Sequence, residues 1–335
     1  MSHSKLLEYS KKIAKEVDKF ILEEVLVGEP ENLYQASTHL IRAGGKRLRP
    51  ALLILSTRFA GGREEVAIPA AAAIEILHNF TLVHDDVMDM DEFRRGVPTV
   101  HKIWGIPVAI IAGDLLFSKA FEALLKLTTR NVGYDRIVKS AEILAKTAST
   151  IAEGQAMDMS FEERTDVSEG EYFEMIYKKT AVLFEASTKI GAIVANASEN
   201  IVKALAEYGK KTGLAFQIQD DILGVVGEEE KVGKPIGSDI REGKKTLIII
   251  YALKKASRSE KERILDALGN RSISKKDISE IVELLENLGA IDYARKYAIR
   301  FSNEALNILD TISTEDFEAK EMLKELAEYV IKRIK

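Results

Sequence analysis

Residues 78–90 read HNFTLVHDDVMDM, and their reading decides the fold class. The apolar positions recur with the 3.6-residue period of a helix, and the surrounding segment from 64 to 91 keeps that period. Asp85 and Asp89 stand four apart, so they share one face of such a helix about one turn apart. Carboxylates in apolar surroundings are expensive unless paired. A second stretch repeats the arrangement: residues 216–226 read FQIQDDILGVV, with Asp220 and Asp221 in an apolar helical run. Both acidic pairs call for a cation, whether a divalent metal, a basic cluster, or both with a polyanion. Hard oxygen donors at this spacing suit magnesium, which retains waters and takes further ligands from substrate phosphates. A solvated acidic helix end is the bland alternative, since Asp91 and Glu92 continue the run.

Outward from these stretches the helical period persists, and no segment alternates convincingly with period two. Leu6–Val27 opens the pattern. Amphipathic helices are expected at about 31–43, 49–60, 64–91, 107–130, 133–162, 169–195, 198–225, 243–256, 259–268, 275–289, 291–311 and 315–333. Ser168-x-x-Glu171 and Ser274-x-x-Asp277 read as capping boxes or near variants. The simplest architecture is one all-α domain with a bundle core spanning 1–335. Residues 258–335 carry amphipathic helices without recognisable chemistry and read as scaffold.

Composition narrows the function. The chain has 335 residues, 46% of them hydrophobic and 30% charged, with a formal net charge of −5. No excess of Lys and Arg exists to cover phosphates along a nucleic acid, which argues against that partner. The absence of cysteine excludes disulfides, thiolate metal sites and cysteine nucleophiles. The start, MSHSKLLEYSKK, has no apolar signal core. Glu75 and Asp114 break the longest apolar runs, so no transmembrane segment is expected. These features predict a soluble, cytoplasmic protein.

Basic segments accompany each acidic pair. Residues 93–99 read FRRGVPT, residues 44–50 GGKRLRP, and residues 233–246 GKPIGSDIREGKKT. Guanidinium pairs beside a magnesium-type site are what a diphosphate needs, because Arg binds phosphate oxygens bidentately. Residues 44–50 are not a Walker loop, since no Gly-Lys-Ser/Thr stands at the required spacing. Lys179-Thr180 lies mid-chain on a helix with apolar flanks, where a snorkelling surface lysine is the ordinary explanation. A lone His78 reads by default as a hydrogen-bonded core histidine. Taken jointly, these elements describe a pocket with carboxylate-bearing helices, basic loops at its mouth and an apolar interior. It fits a substrate with a diphosphate head and a hydrocarbon tail.

GGKRLRP at 44–50, HNFTLVHDDVMDMDEFRRGVPTVH at 78–101, GQAMD at 154–158, KKTAVLF at 178–184, FQIQDDIL at 216–223 and GKPIGSDIREGKKT at 233–246 also carry a resemblance. In these six ordered motifs the chain resembles the trans-prenyl diphosphate synthases, or polyprenyl synthetases, over nearly its full length. The resemblance implies the isoprenoid synthase fold, largely antiparallel helices around a central cavity, in a homodimer or higher homo-oligomer. It implies a magnesium-dependent prenyltransferase that condenses an allylic diphosphate with isopentenyl diphosphate head to tail, 1′-4. By the same resemblance about three magnesium ions offset the charge on the leaving diphosphate. Asp85, Asp89 and Asp220 would ligate them, with Asp86, Asp221 and Asp239 supporting from behind. Arg94, Lys179, Lys234 and Lys244 would hold the allylic diphosphate. Lys46, Arg49, His78 and Arg95 would hold isopentenyl diphosphate. Thr180 and Gln217 would lie near the developing cation, and the departing diphosphate would accept the proton.

One departure stands out. Many relatives carry a third Asp in the second acidic motif, and here that position is Gly224. Asp220 is therefore expected to make the direct metal contact, with Asp239 helping through water. Product length should depend on what blocks the tail before Asp85. Thr81 and Leu77 lie one and two turns deeper on its face, and neither is aromatic. Phe80 is the nearest aromatic, although periodicity alone makes it core. An aromatic there resembles the archaeal-type geranylgeranyl diphosphate synthases, so a mainly twenty-carbon product is expected. The alternatives are a farnesyl or longer-chain (25–30 carbon) synthase, a class I terpene cyclase, and a non-catalytic synthase subunit. A cyclase normally lacks both the 44–50 segment and a second Asp-Asp pair, and such subunits tend to lose site residues.

Overall fold

The computed structural model describes residues 5–226 and 237–332. Among them helix dominates, as the periodicity requires. Helix α1 spans Lys5–Phe20 and runs on through a π-helical turn, Ile21–Val25. Then come α2 (Glu31–Arg42), α3 (Leu48–Phe59), α4 (Glu64–Met88), α5 (Val100–Trp104) and α6 (Ile106–Leu125). After them lie α7 (Tyr134–Glu162), α8 (Glu169–Ile176), α9 (Val182–Val194) and α10 (Glu199–Val226). The remaining helices are α11 (Ser238–Glu242), α12 (Leu247–Lys255), α13 (Arg258–Ala267), α14 (Lys275–Asn287), α15 (Ala290–Thr311) and α16 (Phe317–Lys332).

Local chemistry sets these boundaries. Ser168 and Glu171 form the expected reciprocal capping box, and Ser274 accepts from the Asp277 backbone N–H at 3.1 Å. A third box, Ser257 with Glu260, opens α13. Glu64 and Glu65 occupy the first turn of α4, where carboxylates complement the helix dipole. Gly105 at φ 84° and Pro107 in the first turn start α6.

The chain forms two compact units. Unit 1 comprises 1–148, 183–206 and 309–325, and unit 2 comprises 149–182, 207–308 and 326–335. In unit 1, α4 packs chiefly on α6 and α3. Ala70–Ala73 are fully buried, and such small side chains let neighbouring helices approach closely. One helix, α4, is long and apolar enough to cross a membrane, yet 72% of its most apolar window is buried within the protein. Residues 309–325 are tied to the N-terminal helices: Arg58 meets Asp316 at 2.8 Å, and Thr314 donates to the Phe59 carbonyl at 2.6 Å. The core of unit 2 gathers Tyr172, Ile176, Ile218, Ile222, Leu247 and Ile248.

Three details depart from the sequence expectation. Residues 93–98 form a hairpin of two-residue strands pairing Phe93 with Pro98 and Arg94 with Val97. Its turn, Arg95 (φ 55°) and Gly96 (φ 77°), has the two positive φ angles that match strand twist. The helix expected over 169–195 is interrupted by a π-helical turn at Tyr177–Ala181. The helix expected over 243–256 starts at Leu247, after the separate α11.

Candidate active site

In unit 1 the last turns of α4 carry the first acidic motif. The Asp85 side chain is 22% exposed while that of Asp86 is 1% exposed, so the neighbours point differently. Arg94, delivered by the hairpin, donates from Nε to Asp86 Oδ1 at 2.6 Å and from Nη2 to Asp91 at 3.0 Å. Its Nη2 also lies 3.8 Å from Asp85 Oδ2. Burial pushes the Asp86 carboxyl up to about 6, against the pull of Arg94 and with the help of Asp91 and Asp85. Asp86 thus anchors Arg94 and leaves Asp85 and the half-buried Asp89 as the outward carboxylates.

The 44–50 segment does not offer all its cations. Arg47, fully buried, bonds both oxygens of Asp18 at 2.8 and 3.0 Å and the carbonyls of Gly44 and Ile41. Its Nη1 lies 3.1 Å from Glu75. It is a structural arginine, whereas Lys46 is exposed. Arg49 places Nη1 3.2 Å from His78 Nε2 and its guanidinium 4.6 Å from the Phe184 ring centroid. A guanidinium can only donate, so His78 Nε2 accepts. Burial and then the charges of Arg49, Arg95, Arg47 and Arg94 hold His78 well below its usual range, so the ring is neutral. Arg95 donates to the Leu40 carbonyl at 2.7 Å and reaches Asn79 Oδ1 at 3.4 Å and Glu75 at 3.7 Å. Arg49, His78 and Arg95 are therefore brought together.

Of the residues expected to limit product length, Leu77 is fully buried and Thr81 donates to the His78 carbonyl at 2.8 Å. The Phe80 ring stands edge-on to Phe117 of α6 at 5.4 Å and to His84 at 4.9 Å. His84 in turn lies over Gly113, where an added Cβ would fall 2.0 Å from Nε2. A side chain at 113 would therefore displace the His84 ring.

In unit 2 the π-helical turn carries Lys179 and Thr180, and such turns recur at functional sites. Lys179 donates to Asp158 at 2.6 Å. Gly154 of α7 admits this turn, because an added Cβ would lie 2.3 Å from the Lys179 backbone nitrogen. Thr180 donates to Gln217 Oε1, and Gln217 Nε2 donates to Asp221 Oδ1, both at 2.7 Å. Tyr172, fully buried, donates to Asp221 Oδ2 at 2.6 Å. Burial, followed by the charge of Asp239, pushes Asp221 up to about 7 despite these donors. Asp221 is a buried hub, whereas Asp220 is half-buried. For Lys244, burial opposes the charge, but Asp239, Glu242 and Asp158 outweigh it and hold the amine well above its usual range. Lys245 is a structural lysine bonded to the Glu162 and Gly243 carbonyls.

Gly224 acquires a reason. A Cβ added there would fall 2.3 Å from Asp239 Oδ2, so the missing side chain leaves room for the carboxylate from α11. Lys234 lies outside the described residues.

The donor sets fit magnesium. They are carboxylates, and one buried oxygen, Asp86 Oδ2, has no hydrogen-bond partner among the described residues. Among those residues no group of three or more His, Cys, Asp or Glu forms a metal cage. One or two carboxylates per cluster is the pattern of an ion completed by water and substrate phosphate. Sequence reasoning missed Asp158, Tyr172 and Glu75. Asp158 was visible as the acid ending GQAMD, while Tyr172 gave no signal. A cleft of about 560 Å³ in unit 1, lined by Tyr34, His39, Arg42 and Trp104 among others, contains none of the expected site residues.

Comparison with known proteins gives concordant matches. The family model described as polyprenyl synthetase matches residues 30–285. The chain is 46% identical to a geranylgeranyl diphosphate synthase of Saccharolobus solfataricus over 335 residues, 100% of each chain. The crystal structure of geranylgeranyl pyrophosphate synthetase from Pyrococcus horikoshii superposes with a TM-score of 0.91 at 43% identity, covering 98% of both chains. That of a polyprenyl synthase from Caulobacter crescentus, complexed with calcium and isoprenyl diphosphate, gives 0.89 at 34% identity, covering 98% of this chain and 97% of that one.

Proposed function

Because the chain belongs to the polyprenyl synthetase family, we propose that it is a short-chain prenyltransferase making mainly geranylgeranyl diphosphate, with 1–335 acting as one catalytic domain. The observation that carries this reading is an outward carboxylate beside a guanidinium at the end of α4: Asp85, four residues before Asp89, has its Oδ2 3.8 Å from Arg94 Nη2. Asp85, Asp89 and Asp220 hold about three magnesium ions. When bound, magnesium supplies the Lewis acid for the leaving diphosphate. Arg94, Lys179, Lys234 and Lys244 bind the allylic diphosphate. Asp86 and Asp158 orient Arg94 and Lys179, and Asp221 and Asp239 support from behind. Lys46, Arg49 and Arg95 bind isopentenyl diphosphate, and the neutral His78 steadies Arg49. The Thr180 proton is committed to Gln217, so its oxygen lone pairs are what it offers to a developing cation. The allylic carbon–oxygen bond breaks, the isopentenyl double bond attacks, and the departing diphosphate takes the proton released.

The test is incubation with farnesyl diphosphate, labelled isopentenyl diphosphate and magnesium, with and without a chelator. Elongated diphosphate that disappears with the chelator supports the reading. A cyclic hydrocarbon, or no product, overturns it.

Two finer assignments follow. Phe80, wedged between His84 and Phe117, ends the tail channel, so Phe80→Ala should shift the product from twenty to 25–30 carbons. An unchanged product distribution by chromatography would remove Phe80 from that role. The second assignment is a cytoplasmic homodimer. Large apolar side chains exposed on and beside α6 support it, among them Ile103, Ile106, Ile110, Ile111 and Phe117. Contiguous exposed apolar surface marks interaction sites. Light scattering on the eluting protein should give twice the chain mass, and a monomer would refute the dimer.

A further inference from the structure

We propose that Glu75 is a positioning residue for the isopentenyl diphosphate subsite, its buried carboxylate holding the Arg95 guanidinium in place against Arg47. The proposal rests on the assignment of Arg95 to that subsite given above.

Arg47 and Arg95 both have left-handed backbones, at φ 47° and 55°, and both guanidiniums crowd Gly45. A Cβ on Gly45 would lie 2.8 Å from Arg47 Nη1 and 3.1 Å from Arg95 Cζ. Two like charges confined around one glycine repel, and burial strengthens the repulsion. Glu75, 2% exposed, meets both with a single oxygen: Oε1 lies 3.1 Å from Arg47 Nη1 and 3.7 Å from Arg95 Nη2. Asn79, one turn on, donates to that oxygen at 2.9 Å and to the Glu75 carbonyl at 2.8 Å. This orientation leaves Asn79 Oδ1 to accept from Arg95 at 3.4 Å.

The two arginines depend on Glu75 unequally. Arg47 also has both oxygens of Asp18 and two backbone carbonyls. Among the described residues Glu75 is the only carboxylate paired with Arg95. Burial weakens the Arg95 charge, Glu75 is the main group that supports it, and Arg47 and Arg94 oppose it. Neutralising Glu75 therefore leaves Arg47 anchored and lets it push Arg95 away. A purely structural carboxylate would lower stability without favouring one substrate over the other.

The experiment is steady-state kinetics on full-length Glu75→Gln, with both substrates varied. KM for isopentenyl diphosphate should rise about ten-fold, as for loss of a charged hydrogen-bonding partner. KM for farnesyl diphosphate and kcat should stay within about two-fold of wild type. Asp18→Asn, which among the described residues bonds Arg47 and reaches Arg95 only through its charge, should lower the thermal midpoint and raise KM for isopentenyl diphosphate far less than Glu75→Gln does. If Glu75→Gln does not fold, Asn79→Ala, with every charge intact, should raise that KM about three-fold. The proposal is overturned if folded Glu75→Gln leaves KM for isopentenyl diphosphate unchanged, if Asp18→Asn raises it equally, or if Asn79→Ala does not raise it. Failure of Arg95→Ala to raise the same KM would instead count against the subsite assignment, and an inert wild type against the prenyltransferase reading.

Discussion

Asp85→Ala should lower turnover about 10³-fold with no loss of fold, equivalent to about 4 kcal/mol of transition-state stabilisation. The size follows from where charge develops. A diphosphate leaving as an anion needs compensation that grows with bond breaking, and under the proposed assignment a metal ion that Asp85 would hold would supply it. The lack of a folding penalty follows from exposure. The Asp85 side chain keeps 22% of its surface in solvent and lies 3.8 Å from Arg94 Nη2, a looser contact than the 2.6 Å bond to the buried Asp86. Asp86→Ala should behave differently. It removes the buried acceptor of Arg94 and so weakens binding of the allylic diphosphate as well as the packing around 93–98. Asp85→Ala should retain the wild-type thermal midpoint and circular dichroism. A loss of less than ten-fold would rule out direct metal ligation by Asp85.

The second acidic pair should split in the same way. Asp220→Ala is expected to reduce turnover about 10²–10³-fold with stability unchanged. Asp221→Ala should cost about ten-fold in turnover and destabilise the protein by about 1–3 kcal/mol, because buried donors lose their acceptor. Those donors are the Tyr172 hydroxyl at 2.6 Å and the Gln217 amide at 2.7 Å. Losing the second frees the amide that orients Thr180, which is why Asp221 still affects turnover. Thermal melts and steady-state rates on the two variants separate the effects. Equal and small losses of turnover would contradict the division of labour between the neighbours.

The acidic motifs and the helices carrying them were legible because burial and period leave a pattern in the residues themselves. Of the expected site groups, the structure brings Arg49, His78 and Arg95 together, and likewise Lys179, Thr180 and Gln217. The hairpin at 93–98 was not legible. Two-residue strands are too short to alternate, and the turn begins with an arginine in a conformation that glycine or asparagine usually signals. The π-helical turn at 177–181 has no sequence period of its own. Tyr172 and Asp221 are 49 residues apart, so their bond exists only after folding. Glu75 registered merely as a charge breaking an apolar run, because its charged partners come from 47 and 95. Arg47 and Lys245 illustrate the opposite error. Charge alone counts them with the ligand-binding cations, and only their buried acceptors reveal a structural duty.

The tie between Arg58 and Asp316 has a consequence for how the chain is made. Unit 1 contains residues 309–325, so one of its segments is synthesised only after residues 207–308 of unit 2. At about 5–20 residues per second, the N-terminal helices wait many seconds for that segment to leave the ribosome. During the interval the Arg58 guanidinium and the Phe59 carbonyl lack their partners in that segment. Contacts of such sequence separation also slow folding through loop closure. A nascent chain stalled before residue 309 would therefore lack both ties, and the end of α3 should stay open to protease until that segment joins it.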